Sequence, residues 1–155
     1  MADPSTVTRA SQALTYHFDL FPTLCEVAGL TPPTGLFGES LRPVWQGRRD
    51  RIRDSVFLPY IQVQRAVRDE RWKLICYPKL GFIQLFDLQN DPNETTSVYD
   101  DPAHASHVAR LMGLMKEWQA KVGDKLALPA MSTTPPRPNL TGQAPKPDRG
   151  SRIGS

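Results

Sequence analysis

The chain has few cysteines and no long apolar run, and both absences narrow the class of protein. Only Cys25 and Cys76 occur, each within an apolar pattern, and two cysteines cannot build a disulfide scaffold or a cysteine metal cluster. No stretch approaches the roughly 20 apolar residues that a transmembrane helix needs. The first fifteen residues also lack the charged start and apolar core of a signal peptide. We therefore expect no membrane partner, and the sequence assigns no compartment.

Most of the chain also lacks an excess of positive charge. The formal net charge is +3, but residues 130–155 hold four basic side chains against one acidic side chain, which accounts for the whole excess. The remainder offers no basic face, so we expect no nucleic-acid partner. Residues 126–155 are rich in proline, serine and threonine and have little to bury, which predicts a disordered tail. Residues 1–12 are polar and aperiodic, which predicts a flexible lead-in.

Short runs of β-branched and aromatic residues fill the middle of the chain, and turn-forming residues separate them. The runs cover residues 55–60, 63–69, 72–78 and 82–88. Such spacing is typical of an antiparallel meander. The last run leaves through Asn-Asp-Pro-Asn at residues 90–93, which predicts a turn. The sequence therefore predicts an antiparallel sheet of about four strands.

Apolar residues recur at steps of three and four in two further segments, which predicts helices. In residues 19–29, Asp19 is a candidate cap and Gly29 a candidate left-handed end. The second segment, residues 102–122, stops at Gly123. Its apolar stripe consists of Val108, Leu111, Met115, Trp118 and Val122. We expect this longer helix to cover one face of the sheet and the other face to be solvated.

Two polar groups could bind ligands, but a simpler interpretation is favoured for each. Residues 48–54 (RRDRIRD) could clamp a phosphate or sulfate, yet arginines alternating with aspartates are more typical of a solvated connection. His104 and His107 lie three residues apart, but no third ligand lies near them in sequence. We therefore predict no metal site on this chain.

Four segments, in this order, resemble the C-terminal part of the sulfatases, which belong to the alkaline phosphatase superfamily. They are DLFPTLCEVAGL (19–30), GESLRPVWQG (38–47), RAVRDERWKLICYP (65–78) and QLFDLQNDPNETTSVYDDP (84–102), followed by a helix that ends in MKEWQ. Their order and spacing together make the resemblance specific.

The resemblance implies an α+β fold, the C-terminal subdomain of an alkaline-phosphatase-like α/β fold. About four antiparallel strands would be packed by one long helix and followed by the disordered tail. Residues 13–54 would be the end of the large sulfatase domain. Residues 55–125 would form the sheet-plus-helix subdomain.

The resemblance also implies a cofactor chemistry that this chain does not carry. Sulfatases hydrolyse sulfuric esters with a formylglycine made in a Cys/Ser-x-Pro-x-Arg motif, and a calcium ion polarises the sulfate oxygens. In the family these groups precede the segment that matches Asp19, so we expect neither catalytic residues nor metal ligands here. Cys76-Tyr-Pro-Lys-Leu80 approaches the motif. Leu80 stands where arginine is required, and Cys76 falls within a predicted strand.

The residues that could still touch a substrate are Tyr60, Gln64, Arg65 and Arg68. In the family, strand ends of the C-terminal subdomain lean over the active-site cleft and help to select the substrate. Regular alternation along a strand sends Arg65 and Arg68 to opposite faces, so at most one of them would face that cleft. Ordinary surface arginines are the simpler interpretation of both.

The sequence thus favours a fragment of a sulfatase, a sulfuric ester hydrolase that lacks its catalytic N-terminal part and is inactive alone. The alternative is a stand-alone binding or scaffold module that has kept the fold. A sulfate ester would be a partner only of the full-length enzyme, whose relatives are usually exported or lysosomal.

Overall fold

The computed structural model of this chain describes residues 10–131. Residues 132–155 of the predicted tail and residues 1–9 of the predicted lead-in lie outside the described residues. The prediction of a disordered tail is wrong at its start, because the Leu126 carbonyl accepts from the Gln119 side chain at 2.8 Å and Leu128 packs against the core between the sheet and the last helix. In chain order the elements are a 3₁₀ turn His17–Asp19, α1 Leu20–Val27, α2 Arg42–Trp45, β1 Val56–Tyr60, β2 Gln64–Arg68, β3 Trp72–Tyr77, a 3₁₀ turn Pro78–Leu80, β4 Phe82–Asp87, a 3₁₀ turn Pro102–His104 and α3 Ala105–Val122. Four antiparallel strands and one long helix confirm the predicted fold class.

The sheet is a meander in the order β1-β2-β3-β4, with every neighbouring pair antiparallel. Val67 lies opposite Phe57 on one side and Leu74 on the other, and Leu74 lies opposite Leu85. Because paired residues project to the same face, these four side chains form one apolar row. That row defines the α3 face, on which the long helix packs.

The main core lies between the α3 face and α3. Leu74 and Leu85 from the sheet and Leu111 and Met115 from the helix are all fully buried. The predicted stripe is confirmed at Val108, Leu111 and Met115, whereas Trp118 is half-buried and Val122 is 40% exposed. Gly123 ends α3 in a left-handed conformation, as predicted.

The opposite face of the sheet, here called the open face, is only partly solvated. Ala66, Ile75 and Phe86 form a second buried cluster on it, against which Tyr77 and Leu88 pack. The prediction of a solvated face is therefore wrong for this part of the sheet. The chain that follows β4 provides the cover, because Leu88 joins the cluster and Glu94 reaches the Lys73 ammonium at 2.6 Å.

Both edge strands have their backbone groups engaged by other segments. On β1, the Tyr16 hydroxyl donates to the Phe57 carbonyl at 3.0 Å and accepts from the Phe57 amide. On β4, the Val98 amide donates to the Leu85 carbonyl at 2.8 Å. Unpaired strand edges invite pairing with other chains, so these bonds protect the sheet from edge association.

Residues 38–42 form a polar clasp on α1. The Glu39 amide donates to the Asp19 carboxylate at 3.0 Å, the Ser40 hydroxyl donates to the Glu26 carboxylate at 2.7 Å, and the Leu41 amide donates to the Thr23 hydroxyl at 2.9 Å. Gly38 is needed because a Cβ atom there would lie 2.4 Å from the Phe18 carbonyl oxygen. Two of the sulfatase-like segments therefore form a single structural unit.

The predicted role of Asp19 as a cap of the helix is wrong for α1. Its side chain makes no capping bond to α1 and is fully buried. It accepts instead from the Tyr16 amide, the Glu39 amide and the Arg53 guanidinium. Burial alone would raise the pKa of Asp19, but these hydrogen bonds outweigh it and hold the pKa below its ordinary value. The carboxylate therefore serves as an internal anchor.

The predicted solvated connection over residues 48–54 is also wrong at one position. The side chain of Arg53 is 7% exposed and forms a bidentate pair with Asp19. A guanidinium can be buried when a carboxylate takes both of its parallel N–H groups. This pair connects the segment before β1 to the start of α1.

Candidate substrate-rim surface

Three of the four predicted rim residues share the open face of the sheet. Tyr60 lies directly opposite Gln64, and Arg68 lies opposite Val56 at the other end of the same strand pair. Since residues two apart on a strand project to the same side, Tyr60, Gln64 and Arg68 all project away from α3. The register places Arg65 on the α3 face.

Arg68 has hydrogen-bonding capacity that the other described residues do not use. Its side chain is half-buried, and its Nε atom is buried with no hydrogen-bond partner among residues 10–131. Its neighbour across the strand pair, Lys73, is neutralised by Glu94. A buried donor without an acceptor is costly, and a guanidinium is well suited to a planar anion. Unlike Lys73, Arg68 has no acidic partner among residues 10–131, which makes its guanidinium the candidate anion ligand on the open face.

The turn between β1 and β2 presents a mixed aromatic and aliphatic surface beside Gln64. Tyr60 is 60% exposed, Ile61 is 72% exposed and Val63 is 44% exposed. A tyrosine offers an apolar ring together with a hydroxyl group that can form hydrogen bonds. The turn between β1 and β2 can therefore contact a ligand that has both apolar and polar faces.

Arg65 is not available to a ligand in the same way. It is 5% exposed, and its Nε and Nη2 atoms donate to the two carboxylate oxygens of Asp124 at 2.6 and 2.9 Å. The Arg65 guanidinium holds the pKa of Asp124 far below its usual range. The sequence gives no local signal for this pair, because the partners lie 59 residues apart.

Cys76 does not fit the role of a modified nucleophile. It is fully buried inside β3, and burial raises the pKa of its thiol to about 12. The reactive form of cysteine is the thiolate, which such burial suppresses. Leu80 carries no charge that could take the place of the missing arginine. The residues present therefore do not fit a formylglycine site.

The described residues also do not fit a calcium or other metal site. Within residues 10–131, no group of three or more His, Cys, Asp or Glu side chains is arranged to hold a metal ion. His104 and His107 lie against the ring of Trp72, with ring centroids 5.2 and 4.2 Å away. These imidazoles act as aromatic packing partners.

Two arginines of the arginine-rich segment (residues 48–54) are paired with acidic side chains and are not free to bind a sulfate. A groove of about 460 Å³ lies between residues 10–14 and this segment. Arg51 beside it pairs with Asp54 at 3.2 Å and with Glu70 at 3.8 Å, while Arg53 is taken by Asp19. Within residues 10–131, no helix is both long and apolar enough to cross a membrane.

A second surface of interest lies on α1. The side chains of Leu20, Leu24 and Val27 are 49%, 62% and 61% exposed. Their spacing of four and three residues places them on one side of the helix, here called the α1 stripe. Thr23, by contrast, is fully buried against the clasp. The helix thus turns a polar side inward and its apolar side outward.

Comparisons with known proteins place these surfaces in a family context. Residues 2–121 match the profile of the family described as N-sulphoglucosamine sulphohydrolase, C-terminal. A curated relative, the delta 4,5-hexuronate-2-O-sulfatase of Bacteroides thetaiotaomicron, is 27% identical over 118 residues. That match covers 68% of this chain and 24% of the relative. The chain therefore spans about a quarter of the length of this relative.

Two solved structures share the fold. One, described as a 2-O GAG sulfatase, gives a TM-score of 0.60 at 27% identity and covers 69% of this chain and 26% of that chain. The other is the phosphonate monoester hydrolase of Silicibacter pomeroyi. It gives a TM-score of 0.58 at 25% identity, covering 78% of this chain and 26% of that chain.

Proposed function

Because this chain belongs to the family of N-sulphoglucosamine sulphohydrolase C-terminal domains, we propose that it is the C-terminal part of a sulfatase. In this proposal the enzyme is a sulfuric ester hydrolase whose catalytic groups lie outside the sequence described above. The formylglycine and the calcium ion would belong to that catalytic part, since the residues present here do not fit either group.

The observation that carries the proposal is the orientation of α1. Its polar side is bonded to the clasp of its own chain, whereas Leu20, Leu24 and Val27 are about half to two-thirds exposed. Phe21 is 53% exposed and Phe37 is 63% exposed in the same region. Fully burying an exposed side chain of this kind is favourable by about 1.5–3 kcal/mol, so covering these half-exposed side chains would gain about half of that each. A large α/β part packed on the α1 stripe would use that free energy.

We further propose that the open face forms part of the substrate rim of the complete enzyme. Arg68 would bind an anionic group, and Tyr60 and Gln64 would contact the neutral part of the substrate. The names of the hexuronate and GAG sulfatases above refer to carbohydrate substrates. A sulfated carbohydrate is accordingly the substrate class that we propose. Its combination of apolar ring faces and charged groups suits the side chains on this face.

The test is hydrolysis of a chromogenic sulfate ester by this chain, with and without calcium. We expect no turnover above background from the chain alone. A sulfatase of full family length that carries this chain as its C-terminal part should be active. Turnover by the chain alone that survives Cys76→Ala would contradict the proposal, and turnover that this substitution abolishes would make Cys76 the nucleophile.

The alternative, a stand-alone binding module, predicts a different behaviour of this chain. Such a module would bind a sulfated glycan tightly by itself, and its α1 stripe would contact no catalytic part. The exposed α1 stripe favours the sulfatase proposal over this one.

A further inference from the structure

The β1–β2 turn has a conformation that its own residues do not favour. Ile61 adopts a φ of +43°, in the left-handed region where a β-branched residue is strained. Hairpins of this kind usually place Gly, Asn or Asp at such positions. Residues 61–63 are Ile, Gln and Val, and none of these is a turn former. The shape of the turn is therefore imposed from outside it.

Burial of Ile61 does not explain the strain. Its side chain is 72% exposed, so packing of this side chain offsets little of the cost of the left-handed backbone. Hydrogen bonds to the backbone of the turn hold it instead. The Val63 amide donates to the Tyr60 carbonyl at 3.1 Å, and the Ile61 carbonyl accepts from the Arg65 guanidinium at 2.8 Å.

Arg65 binds two carbonyls of the turn with a single nitrogen. Its Nη1 atom donates to Ile61 and to Gln64, both at 2.8 Å. Its other donors engage Asp124, directly after the last turn of α3. Asp124 is itself held by the Gln119 side chain at 2.9 Å and by the Leu126 amide at 3.3 Å. The turn is thus connected to the end of α3 through one buried guanidinium.

We infer that Arg65 is a positioning residue, which fixes the β1–β2 turn so that Tyr60 and Gln64 present one arrangement to the substrate. This inference rests on the proposed function, because a fixed turn affects substrate binding only if the turn belongs to the substrate rim. Tyr60 and Gln64 flank the turn on the open face, while Arg65 acts from the α3 face. A rigid rim binds with less loss of conformational entropy than a mobile rim.

Arg65→Lys is the main test, because lysine keeps the charge but cannot form the same fork of hydrogen bonds. In the nuclear magnetic resonance spectrum of this chain, we expect the amide signals of residues 60–64 to broaden or to split. The amides of β3 and α3 should keep their hydrogen-exchange protection. Asp124→Asn should have the same effect on the turn without altering Arg65, which covers the case in which Arg65→Lys fails to fold.

Ile61→Asn in the Arg65→Lys background supplies the rescue. Asparagine tolerates the left-handed region, so the double variant should regain a single set of turn signals. A general loss of stability would not be repaired in this way. Turn signals that are unchanged in both Arg65→Lys and Asp124→Asn would overturn the inference.

The link to substrate is tested in a sulfatase of full family length that carries this chain. With a 2-O-sulfated hexuronate disaccharide as the probe, Arg65→Lys should raise KM several-fold while kcat changes little, because uniform binding is lost. A small aryl sulfate that does not reach the rim should show unchanged kinetics. A loosened turn with unchanged KM for the disaccharide would overturn the role in substrate binding. The proposed function fails separately, if the full-length enzyme hydrolyses no sulfate ester.

Discussion

The two longer helices of this chain carry similar apolar stripes but use them differently. On α3, Leu111 and Met115 are fully buried against the sheet. On α1, Leu24 and Val27 are more than half exposed, although they too lie on one side of their helix. The period of a stripe therefore predicts that a helix has an apolar side. It does not predict whether the covering partner belongs to the same stretch of chain.

The comparison separates the residues that fold this chain from the residues that connect it to something else. The sheet and α3 bury their apolar side chains against each other, so this core is built from residues of the chain itself. The α1 helix is bonded to residues 38–42 through the clasp, and the pair between Asp19 and Arg53 connects its start to the segment before β1. If this division is correct, substitutions in the two regions should differ strongly in their effect on the free energy of unfolding.

The largest effect is expected where the two regions are joined. Arg53→Gln should leave the buried Asp19 carboxylate without its charged partner, which typically costs about 3–5 kcal/mol. The measurement is urea unfolding of the chain alone. Arg51→Gln is the matched control, since Arg51 pairs only with exposed acids, and it should change the stability by less than about 0.5 kcal/mol. Equal effects of Arg53→Gln and Arg51→Gln on the free energy of unfolding would show that the pair between Arg53 and Asp19 does not stabilise the chain.

A similarly direct comparison uses leucine on each helix. Leu111→Ala removes a fully buried side chain from the core and should cost about 2–5 kcal/mol. Leu24→Ala removes a side chain that is 62% exposed, and it should change the stability of the chain alone by about 0.5 kcal/mol or less. Comparable losses in the two variants would mean that the α1 stripe is already covered in solution.

Trp118→Ala should fall between these two leucine variants. The ring stacks near Phe57 with centroids 6.5 Å apart, and its indole nitrogen donates to the Ser55 hydroxyl at 2.9 Å. Because the side chain is only half-buried, the loss should stay below the about 3–5 kcal/mol typical of a fully buried tryptophan. Thermal unfolding measures it, with Lys116→Ala as the exposed control. A melting temperature equal to that of the control would rule out this packing role.

A smaller effect is expected from pH, through Asp87. Hydrogen bonds from Arg71 are the main cause that lowers the pKa of Asp87 to about 2. An unfolded aspartate titrates near about 3.9. The unfolded state therefore takes up its proton first as the pH falls, and the stabilising contribution of Asp87 is present above pH 4 and is lost between about 4 and 2. Asp87→Asn should flatten the pH dependence of stability in this window, and an unchanged slope would argue against the pair.

The smallest effect on folding is expected at Arg68. Its unpaired Nε atom and its position opposite Lys73 suggest that it adds little to stability. Arg68→Gln should leave the free energy of unfolding within about 0.5 kcal/mol of the parent but weaken binding of a sulfated substrate in the full-length enzyme. A marked loss of stability would place Arg68 among the structural residues instead.

Local patterns were sufficient to predict the strands, the two longer helices and the left-handed glycine that follows each of these helices. Period-two and period-3.6 patterns report on neighbours in sequence, and Gly123 marks the end of α3 because only a residue without a Cβ atom fits that conformation easily. The family resemblance was also confirmed by the matching profile. The order of short motifs was therefore informative even though each motif alone was weak.

Long-range polar pairs could not be predicted in the same way. Asp19 has the composition and position of a helix cap, yet its partner Arg53 lies 34 residues away. Arg65 similarly resembles a surface arginine in the sequence, because its partner Asp124 lies 59 residues away, just after α3. The partial cover of the open face depends on Leu88, directly after β4, and on Glu94, which follows a turn whose direction the sequence does not specify.

The central claim is that the α1 stripe is an interface with a catalytic part, whereas the α3 face is a core. Hydrogen–deuterium exchange tests it most directly, in the chain alone and in a sulfatase of full family length that carries it. We predict that the amides of α1 exchange much more slowly in the full-length enzyme, while those of α3 and β3 are equally protected in both. Equal exchange of α1 in the two proteins would contradict the claim.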